Sequence, residues 1–332
     1  MKTRAIVATA KGGPDVLQLT AIDLGWPAGP SDVLVRLHAA GVNPADCFFR
    51  QLGGYIDGPG PLVPGHDGAG VVQAAGPKVT AVKPGDHVCF CNGGIGGTPG
   101  AYAAHAVVPA AQLALIPDGI SFETAAALPL VAITAWESLY ERAGLKADEH
   151  VLIHGGAGGT GHIAIQLAHL HGARVATTVS SAEKAEFVRG LGADLAVDYR
   201  ANDFVDAVRD WSGGGADVAL DNAGAEVLQK TYRCMAPYGR IVTLMGIAPD
   251  DAELSAYNAN VAVFNEMMLT PMWRGLTIRL AMQAQIVREC LALVAAGELK
   301  VHIAARFPLA GAAAAHALLE RGGMFGKIVL TM

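Results

Sequence analysis

Short apolar runs separated by turns fill the chain as far as about residue 120. Stretches such as RAIVATA, DVLVRLHAAGV and DHVCFC are set apart by glycine and proline in nearly every gap. Runs of this length, bounded by turn residues, are typical of β-strands. The pattern predicts an all-β domain in this part of the chain.

From about residue 150 the pattern changes to a buried strand, a glycine turn and an amphipathic helix, repeated several times. The strand stretches are HVLIHG, ARVATTV, ADLAVDY, ADVALDNAG and GRIVTLMG. Such alternation is typical of βαβ units, which build a parallel sheet. This half of the chain is therefore predicted to be a doubly wound α/β domain.

Three further elements follow the repeated units. The stretch NEMMLTPMW, residues 265–273, is interpreted as a sixth strand at the sheet edge, and residues 279–296 and 310–320 as helices. An exposed edge strand favours pairing with its copy across a two-fold axis, so a homodimer is expected. The methionines and Trp273 of this stretch fit core packing or the rim of a substrate pocket equally well.

Composition narrows the function classes. The 332 residues are 52% hydrophobic and 16% charged, as in enzymes with many buried strands, and their net charge of -6 argues against nucleic-acid binding. No apolar run approaches the roughly 20 residues that a membrane-spanning helix needs, and the first residues are too polar for a secretory signal. Five scattered cysteines fit a reducing compartment, so we expect a cytoplasmic protein with no membrane partner.

A glycine-rich turn, HGGAGGTG, joins a predicted strand to a predicted helix. Gly156, Gly158 and Gly161 satisfy the pattern G-x-G-x-x-G, and Gly159 lies within it. In a dinucleotide-binding βαβ unit these glycines allow a tight turn, a close approach to the pyrophosphate and close packing of helix on strand. The alternative is a plain strand-to-helix turn, which the repeated βαβ units around it disfavour.

The choice between NADH and NADPH is predicted from the end of the next strand. An NAD site places an acidic residue about 20 residues after the glycines, and none stands there. The sequence offers Ser180, Ser181 and Lys184 instead. Hydroxyls and an ammonium group suit a 2′-phosphate, so NADPH is the expected cofactor, although a lysine at such a position is more often simply solvated.

Four stretches together resemble one enzyme family. AAGVNPADCFFRQLGGY, PLVPGHDGAGVV, ALPLVAITAWESL and VLIHGGAGGTGHIAIQLA are similar to the zinc-independent quinone oxidoreductases of the medium-chain dehydrogenase/reductase superfamily, which include zeta-crystallin. The similarity runs over essentially the whole chain. It implies a GroES-like β domain formed by residues 1–122 and 267–332, and a Rossmann domain formed by residues 123–266.

The resemblance also places the metal positions of the zinc-dependent relatives. Their catalytic zinc ligands fall at Asn43, at His66 and near Leu130, and only His66 has a ligating side chain. The four cysteines of a structural zinc lobe have no counterpart. Cys47 is a possible substitute that we disfavour, and no metal is expected.

His66 and Asp46 are candidate catalytic residues. In the zinc relatives the matching histidine hydrogen-bonds the matching aspartate, and a carboxylate partner suits an imidazole to proton donation. The alternative, which the residues favour, is a structural contact in which His66 is satisfied by Asp46 and holds two strands together. By the resemblance, Tyr55 matches a tyrosine near the nicotinamide and substrate, and we favour a pocket wall with a polar hydroxyl. It can also donate that hydroxyl to a carbonyl oxygen or be a plain loop residue.

The resemblance implies further cofactor contacts. For Gly246, its position after a predicted strand supports the contact as well, because ligands of such sheets lie at strand ends. The residues are Asn43 at the nicotinamide ribose, Thr134 behind the nicotinamide, Tyr199 at the adenosine phosphate, and Asn222 and Gly246 along the crevice.

The expected activity is hydride transfer from NADPH to a quinone or to the β-carbon of an α,β-unsaturated carbonyl, without zinc. Such acceptors need no Lewis acid, because hydrogen bonds can meet the charge that develops on their oxygen. Three alternatives stay open: an NADP-dependent alcohol or carbonyl dehydrogenase that uses His66 and Asp46, a non-catalytic NADPH-binding sensor, and an RNA-binding side role, against which the acidic balance argues.

Overall fold

The structure is a computed structural model that describes residues 1–52, 62–95, 97–246 and 259–332, with Ala225 described by its backbone only. The chain divides into two units, one formed by Met1–Leu130 with Leu269–Met332 and one formed by Val131–Met268. Over the described strands, the first unit has a seven-stranded and a two-stranded sheet, and the second unit has one six-stranded sheet.

The described strands are β1 Lys2–Ala8, β2 Leu17–Asp23, β3 Asp32–Val42, β4 Asp67–Ala75, β5 His87–Cys91, β6 His105–Pro109, β7 Leu113–Leu115, β8 His150–Ile153, β9 Arg174–Val179, β10 Leu195–Asp198, β11 Ala216–Asp221, β12 Met235–Thr243, β13 Ala262–Asn265, β14 Ile303–Pro308 and β15 Lys327–Thr331. The described α-helices are α1 Pro44–Leu52, α2 Phe122–Ala127, α3 Pro129–Trp136, α4 Gly159–Leu170, α5 Ala182–Arg189, α6 Phe204–Ser212, α7 Ala225–Thr231, α8 Thr270–Arg274, α9 Thr277–Ala295 and α10 Ala312–Arg321.

The first unit is built on a mostly antiparallel sheet in the order β14-β15-β3-β4-β5-β7, with β6 also paired to β3. The central strand β3 is the longest and pairs with β15 on one side and with β4 on the other. Valine and leucine side chains of β3 are almost completely buried, which explains why this strand forms the middle of the core. The C-terminal strand β15 is thus part of the same sheet as the N-terminal strands.

The second unit has a parallel sheet in the order β10-β9-β8-β11-β12-β13 over its described strands. Strand β8 pairs with β9 on one side and with β11 on the other, so the direction of the strand order reverses there. In sheets of this kind, ligands bind at the carboxyl ends of the strands beside this reversal. The predicted doubly wound fold is confirmed, and the glycine-rich turn follows β8 directly.

Two predictions about local structure are wrong. The first unit is not all β, because α1 follows β3 directly. The sixth strand of the parallel sheet is Ala262–Asn265, so it ends where the stretch predicted as a strand begins. Residues 270–274 are helical, since Pro271 in the first turn suits a helix start and cannot donate to a sheet ladder.

No helix in the described part of the chain combines the length and the apolar character that crossing a bilayer requires.

We expect Leu152→Ala in β8 to lower the free energy of unfolding by about 2–5 kcal/mol, because the truncated side chain leaves a cavity. Leu152 is 0% exposed in the strand where the order of the sheet reverses. Leu170→Ala is the matched control, because Leu170 at the end of α4 is 43% exposed, and it should cost less than about 1 kcal/mol. Urea unfolding followed by circular dichroism measures both, and equal costs would contradict the packing described.

Candidate active site

The glycine-rich turn is so closely packed that side chains are excluded at two of its positions. A Cβ at Gly156 would lie 2.1 Å from Oγ1 of Thr177, and one at Gly161 would lie 2.3 Å from the carbonyl oxygen of Gly155. Gly158 caps α4, whose first turn carries backbone N–H groups without helical partners. The turn therefore brings α4 close to β9 and offers amides and the positive helix end to an anion.

A buried histidine that the sequence analysis did not identify anchors this turn. Nδ1 and Nε2 of His154 lie 3.2 Å from Oγ1 of Thr178 and 2.9 Å from Oγ1 of Thr231. Burial lowers the pKa of His154 to about 4, although the charge of Asp221 opposes this, so the ring is neutral near pH 7. Asn222 Nδ2 donates to the His154 carbonyl oxygen at 2.8 Å. The turn is thus bonded to the ends of the two strands that flank β8.

Polar groups converge at the carboxyl end of β11. Asp221 is buried and accepts hydrogen bonds from the amides of Ala223 and Gly224 and from the Thr243 hydroxyl, at 2.9, 3.1 and 2.8 Å. Beside it, Oδ1 of Asn222 is buried and has no hydrogen-bond partner among the described residues. A buried amide oxygen without a partner beside a glycine turn fits the binding of a dinucleotide.

The residues predicted to bind the 2′-phosphate lie together. Nζ of Lys184 donates to Oγ of Ser180 at 3.1 Å, and Oγ of Ser181 caps α5 by accepting from the Lys184 amide. The backbone amide of Tyr199 donates to the Val179 carbonyl oxygen, which places Tyr199 beside the end of β9, and its side chain is exposed. An ammonium group, a hydroxyl and a phenol thus border one strand end.

Two other predicted cofactor residues lie elsewhere in the second unit. Thr134 is buried on α3. Gly246 follows β12 with a φ of +81°, a conformation that favours glycine.

In the first unit, Asn43 belongs to a buried polar cluster at the junction of β3 and α1. Its Nδ2 donates to Oδ2 of Asp67 at 2.9 Å, and its Oδ1 accepts a hydrogen bond from Nζ of Lys327. The ammonium group lies 3.8 Å from the Asp67 carboxylate and donates to the Val42 carbonyl oxygen. Burial raises the pKa of Asp67 and lowers the pKa of Lys327, and their mutual attraction opposes both shifts.

His66 and Asp46 form a completely buried pair. Nδ1 of His66 lies 2.5 Å from Oδ1 of Asp46, and both side chains are 0% exposed. The same carboxylate accepts hydrogen bonds from the backbone amides of Gly65 and Asn43, at 3.1 and 2.8 Å. Burial raises the pKa of Asp46, but His66, His316 and the Asn43 amide together lower it more, so the carboxylate stays ionised. Nε2 of His66 is buried and has no partner among the described residues.

The predicted Tyr55 lies outside the described residues. Near the His66 pair, the ring of Phe49 lies 5.6 Å from the His66 ring and 5.9 Å from the Trp273 ring, measured between centroids. Thr270, Trp273 and Arg274 line a pocket of about 490 Å³. Within the first unit, Phe49 thus packs between His66 and Trp273, one of the residues that line this pocket.

The donor set in this unit does not fit a catalytic zinc. Leu130 offers only a hydrocarbon side chain, and its backbone amide donates to Oδ1 of Asp67 at 2.9 Å. Burial raises the pKa of Cys47 to about 12 and the pKa of Cys91 well above its usual value, so neither is a thiolate. Within the described ranges, no group of three or more His, Cys, Asp or Glu side chains is arranged to hold a metal ion.

Comparisons with known proteins agree with this architecture. The alcohol dehydrogenase GroES-like domain family matches residues 29–118, and the zinc-binding dehydrogenase family matches residues 191–330. A 2-haloacrylate reductase from Burkholderia sp is 35% identical over 98% of this chain and 98% of its own length. A quinone oxidoreductase from Pseudomonas aeruginosa is 32% identical over 98% of this chain and 99% of its own length.

Among solved structures, a mycobacterial protein complexed with NADPH has a TM-score of 0.85 and 31% identity, covering 99% of this chain and 100% of that chain. The matched families, the reductase relatives and the two-unit fold point to the same conclusion. The chain belongs to the quinone oxidoreductase-like group of the medium-chain dehydrogenase/reductase superfamily, a family of oxidoreductases that bind a nicotinamide cofactor.

Proposed function

We propose that this oxidoreductase is an NADPH-dependent reductase of quinones and α,β-unsaturated carbonyls that works without zinc. The observation that carries the proposal is the buried cluster at Asn43, His66 and Leu130, the zinc-ligand positions of related dehydrogenases. Two of these positions bond to the Asp67 carboxylate, and the third presents an imidazole nitrogen that has no partner in the described part of the chain. A site with these groups offers hydrogen bonding and proton transfer to an acceptor that is already electrophilic.

The cofactor part of the proposal is supported by the second unit. The amides at the start of α4 suit the pyrophosphate, and Ser180, Lys184 and Tyr199 suit the 2′-phosphate. The NADPH bound by the mycobacterial neighbour also favours this cofactor over NADH. We assign the crevice to Asn222 and Gly246, and contacts with the nicotinamide half to Asn43 and Thr134. When bound, NADPH supplies the hydride.

Reduction at a β-carbon leaves negative charge on the acceptor oxygen, and that charge must be met by a donor and then by a proton. Because Asp46 holds Nδ1 of His66, Nε2 is the nitrogen that exchanges a proton with a bound molecule. We propose His66 as the proton donor, with Tyr55 and water as the competing donors. Asp46 keeps the protonated ring stable and oriented.

A carboxylate-bearing acceptor is a second candidate. Arg274 and Trp273 line the pocket that the Phe49 ring links to His66, and a guanidinium group binds carboxylates well. The 35% identity to a 2-haloacrylate reductase favours the same class, a small unsaturated acid.

We also propose a homodimer through the edge strand β13, which the molar mass in solution tests.

Steady-state assays of metal-stripped protein test the proposed reaction directly. We expect rapid oxidation of NADPH by a quinone or a short enone, slower oxidation of NADH, and little turnover of a simple alcohol with NADP. 2-Chloroacrylate belongs in the same series, and a KM that rises about tenfold in Arg274→Met for this acid but not for a neutral enone would support the carboxylate class. Activity restricted to alcohols or aldehydes and dependent on added zinc would overturn the proposal, and tight NADPH binding without any turnover would favour a sensor.

Removing the Lys184 ammonium group tests the cofactor preference. We expect Lys184→Ala to raise the KM for NADPH about tenfold or more and to leave the KM for NADH nearly unchanged, because only NADPH carries the 2′-phosphate. Lys146→Ala is the matched control, because Lys146 is an exposed lysine of the same unit. Equal changes for both cofactors would contradict the assignment of the 2′-phosphate site.

Replacing His66 tests the proton donor. We expect His66→Gln to lower kcat about a hundredfold with little change in the KM for NADPH, since general acid catalysis contributes on this scale. In the unmodified protein kcat should fall as pH rises, because the ring must be protonated to donate. His87→Gln is the control, a change at an exposed histidine of the same unit. If kcat of His66→Gln stays within about threefold of the unmodified protein while Tyr55→Phe is impaired, Tyr55 is the donor instead.

A further inference from the structure

A chain of buried hydrogen bonds leads from Asp46 toward the surface of the first unit. Oδ2 of Asp46 accepts from the Tyr102 hydroxyl at 3.2 Å, and that hydroxyl lies 3.0 Å from Nε2 of His316. Nδ1 of His316 lies 3.4 Å from Nη1 of Arg50, whose Nη2 is paired with Glu320. Tyr102, His316 and Arg50 are all 0% exposed, whereas Glu320 is 28% exposed. The proposed reaction assigns no task to these four side chains.

The direction of each bond in this chain follows from its donors. Arg50 has only donors, so Nδ1 of His316 accepts, and the neutral ring carries its proton on Nε2. Burial lowers the pKa of His316 to about 4, with Asp46 opposing and Arg50 reinforcing the shift, so the ring is neutral near pH 7. Nε2 therefore donates to Tyr102, and the Tyr102 hydroxyl donates to Asp46.

Tyr102 is a fixed donor. Burial raises the pKa of its hydroxyl well above its usual value, and the charge of Asp46 raises it further. The Asp46 carboxylate consequently receives an O–H hydrogen bond on Oδ2 and the His66 imidazole on Oδ1. Together with the Gly65 and Asn43 amides, these two donors share the charge of one carboxylate, so the strength of one bond affects the others.

The other ionisable groups around the pair are few and belong to neighbouring elements. Asp67 on β4 and Lys327 on β15 lie on the Asn43 side of the pair, and the attraction between their charges opposes the effect of burial on their pKa values. Cys47 on α1 and Cys91 on β5 are neutral thiols, because burial raises both pKa values.

We propose that Tyr102, His316 and Arg50 are positioning residues that hold the Asp46 carboxylate in place and limit how strongly it retains the proton on His66. The inference rests on the proposed function in one respect, namely that His66 transfers a proton. Without the Tyr102 hydroxyl, the Asp46 carboxylate would keep only the Gly65 and Asn43 amides as other donors, so it would bind the imidazolium ring more tightly and the ring would keep its proton to a higher pH. The chain thus adjusts His66 as an acid from a distance, through Asp46.

Tyr102→Phe removes one donor to Asp46 and keeps the ring. We expect the His66 ring to stay protonated to a pH about 0.5–1 pH units higher than in the unmodified protein, because the carboxylate charge is then directed at the imidazolium. The readout is the pH titration of the ring ¹⁵N signals of His66 in histidine-labelled protein, assigned with His66→Gln. Tyr140→Phe is the matched control, since it removes a hydroxyl that donates to the Leu167 carbonyl oxygen in the other unit, and it should leave the titration unchanged.

The kcat profile with NADPH and an enone is measured on the same variants. A shift of the ring titration together with an equal shift of the falling limb of kcat supports both the positioning role and the His66 acid. A shift of the ring titration without a shift in kcat supports the positioning chain and overturns His66 as the proton donor. A titration identical to that of Tyr140→Phe overturns the positioning proposal, whatever the activity.

One measurement needs no variant and decides the case if Tyr102→Phe does not fold. In the unmodified protein the ¹⁵N signals must show neutral His316 with its proton on Nε2 and neutral His66 with its proton on Nδ1. The opposite tautomer at either ring would mean that the hydrogen bonds do not run from donor to acceptor as described, which would overturn the proposal.

Discussion

Burial of the Asp46 and Asp67 carboxylates is the constraint on which the first unit depends. An ionised carboxylate without partners in a protein interior costs far more than a domain's net stability, so each must be surrounded by donors. Asp67 receives them from Asn43, Leu130 and Lys327, and Asp46 from His66, Tyr102 and two backbone amides. These donors come from segments far apart in sequence, so the hydrogen bonds form only when β3, β4, α1 and the C-terminal strand β15 are all in place. The polar cluster therefore specifies the arrangement of the sheet as well as the chemistry of the site.

The second unit also buries a carboxylate that needs hydrogen-bond donors, at the carboxyl ends of its parallel strands. Asp221 is satisfied by two amides and the Thr243 hydroxyl, and the neutral His154 ring bonds the turn after β8 to Thr178 and Thr231. Rigid strand ends keep the glycine turn in one conformation before any cofactor arrives, which avoids an ordering cost at binding. In both units, then, buried polar side chains fix the backbone from which candidate binding groups project.

The sequence predicted the features that depend on local pattern. The βαβ alternation, the glycines that exclude a Cβ and the hydroxyl and lysine after β9 are all readable from neighbouring residues. Lys327, His316 and His154 were missed, because each acts through a partner more than 60 residues away and its own surroundings resemble an ordinary strand or helix. The strand predicted at 265–273 was wrong for a different reason. The apolar residues of this stretch match a strand, but Pro271 lies in the first turn of a helix, and the observed strand ends at Asn265. A buried lysine or histidine inside an apolar run is the one signal that could have directed attention to these positions.

The nitrogen that His66 leaves open follows from the same set of contacts. Since Nδ1 is held by Asp46, Nε2 is the atom that a metal would take, and an imidazole bound to metal through that atom cannot give up a proton there. In this chain the neighbouring positions hold the Asn43 side-chain amide, which donates to Asp67, and the hydrocarbon side chain of Leu130, whose backbone amide donates to the same carboxylate, so neither side chain suits a zinc ion. The residues at these two positions therefore bear on His66 as well as on zinc. They leave a histidine whose Nδ1 is already held by Asp46, which is the arrangement that its proposed role as an acid requires.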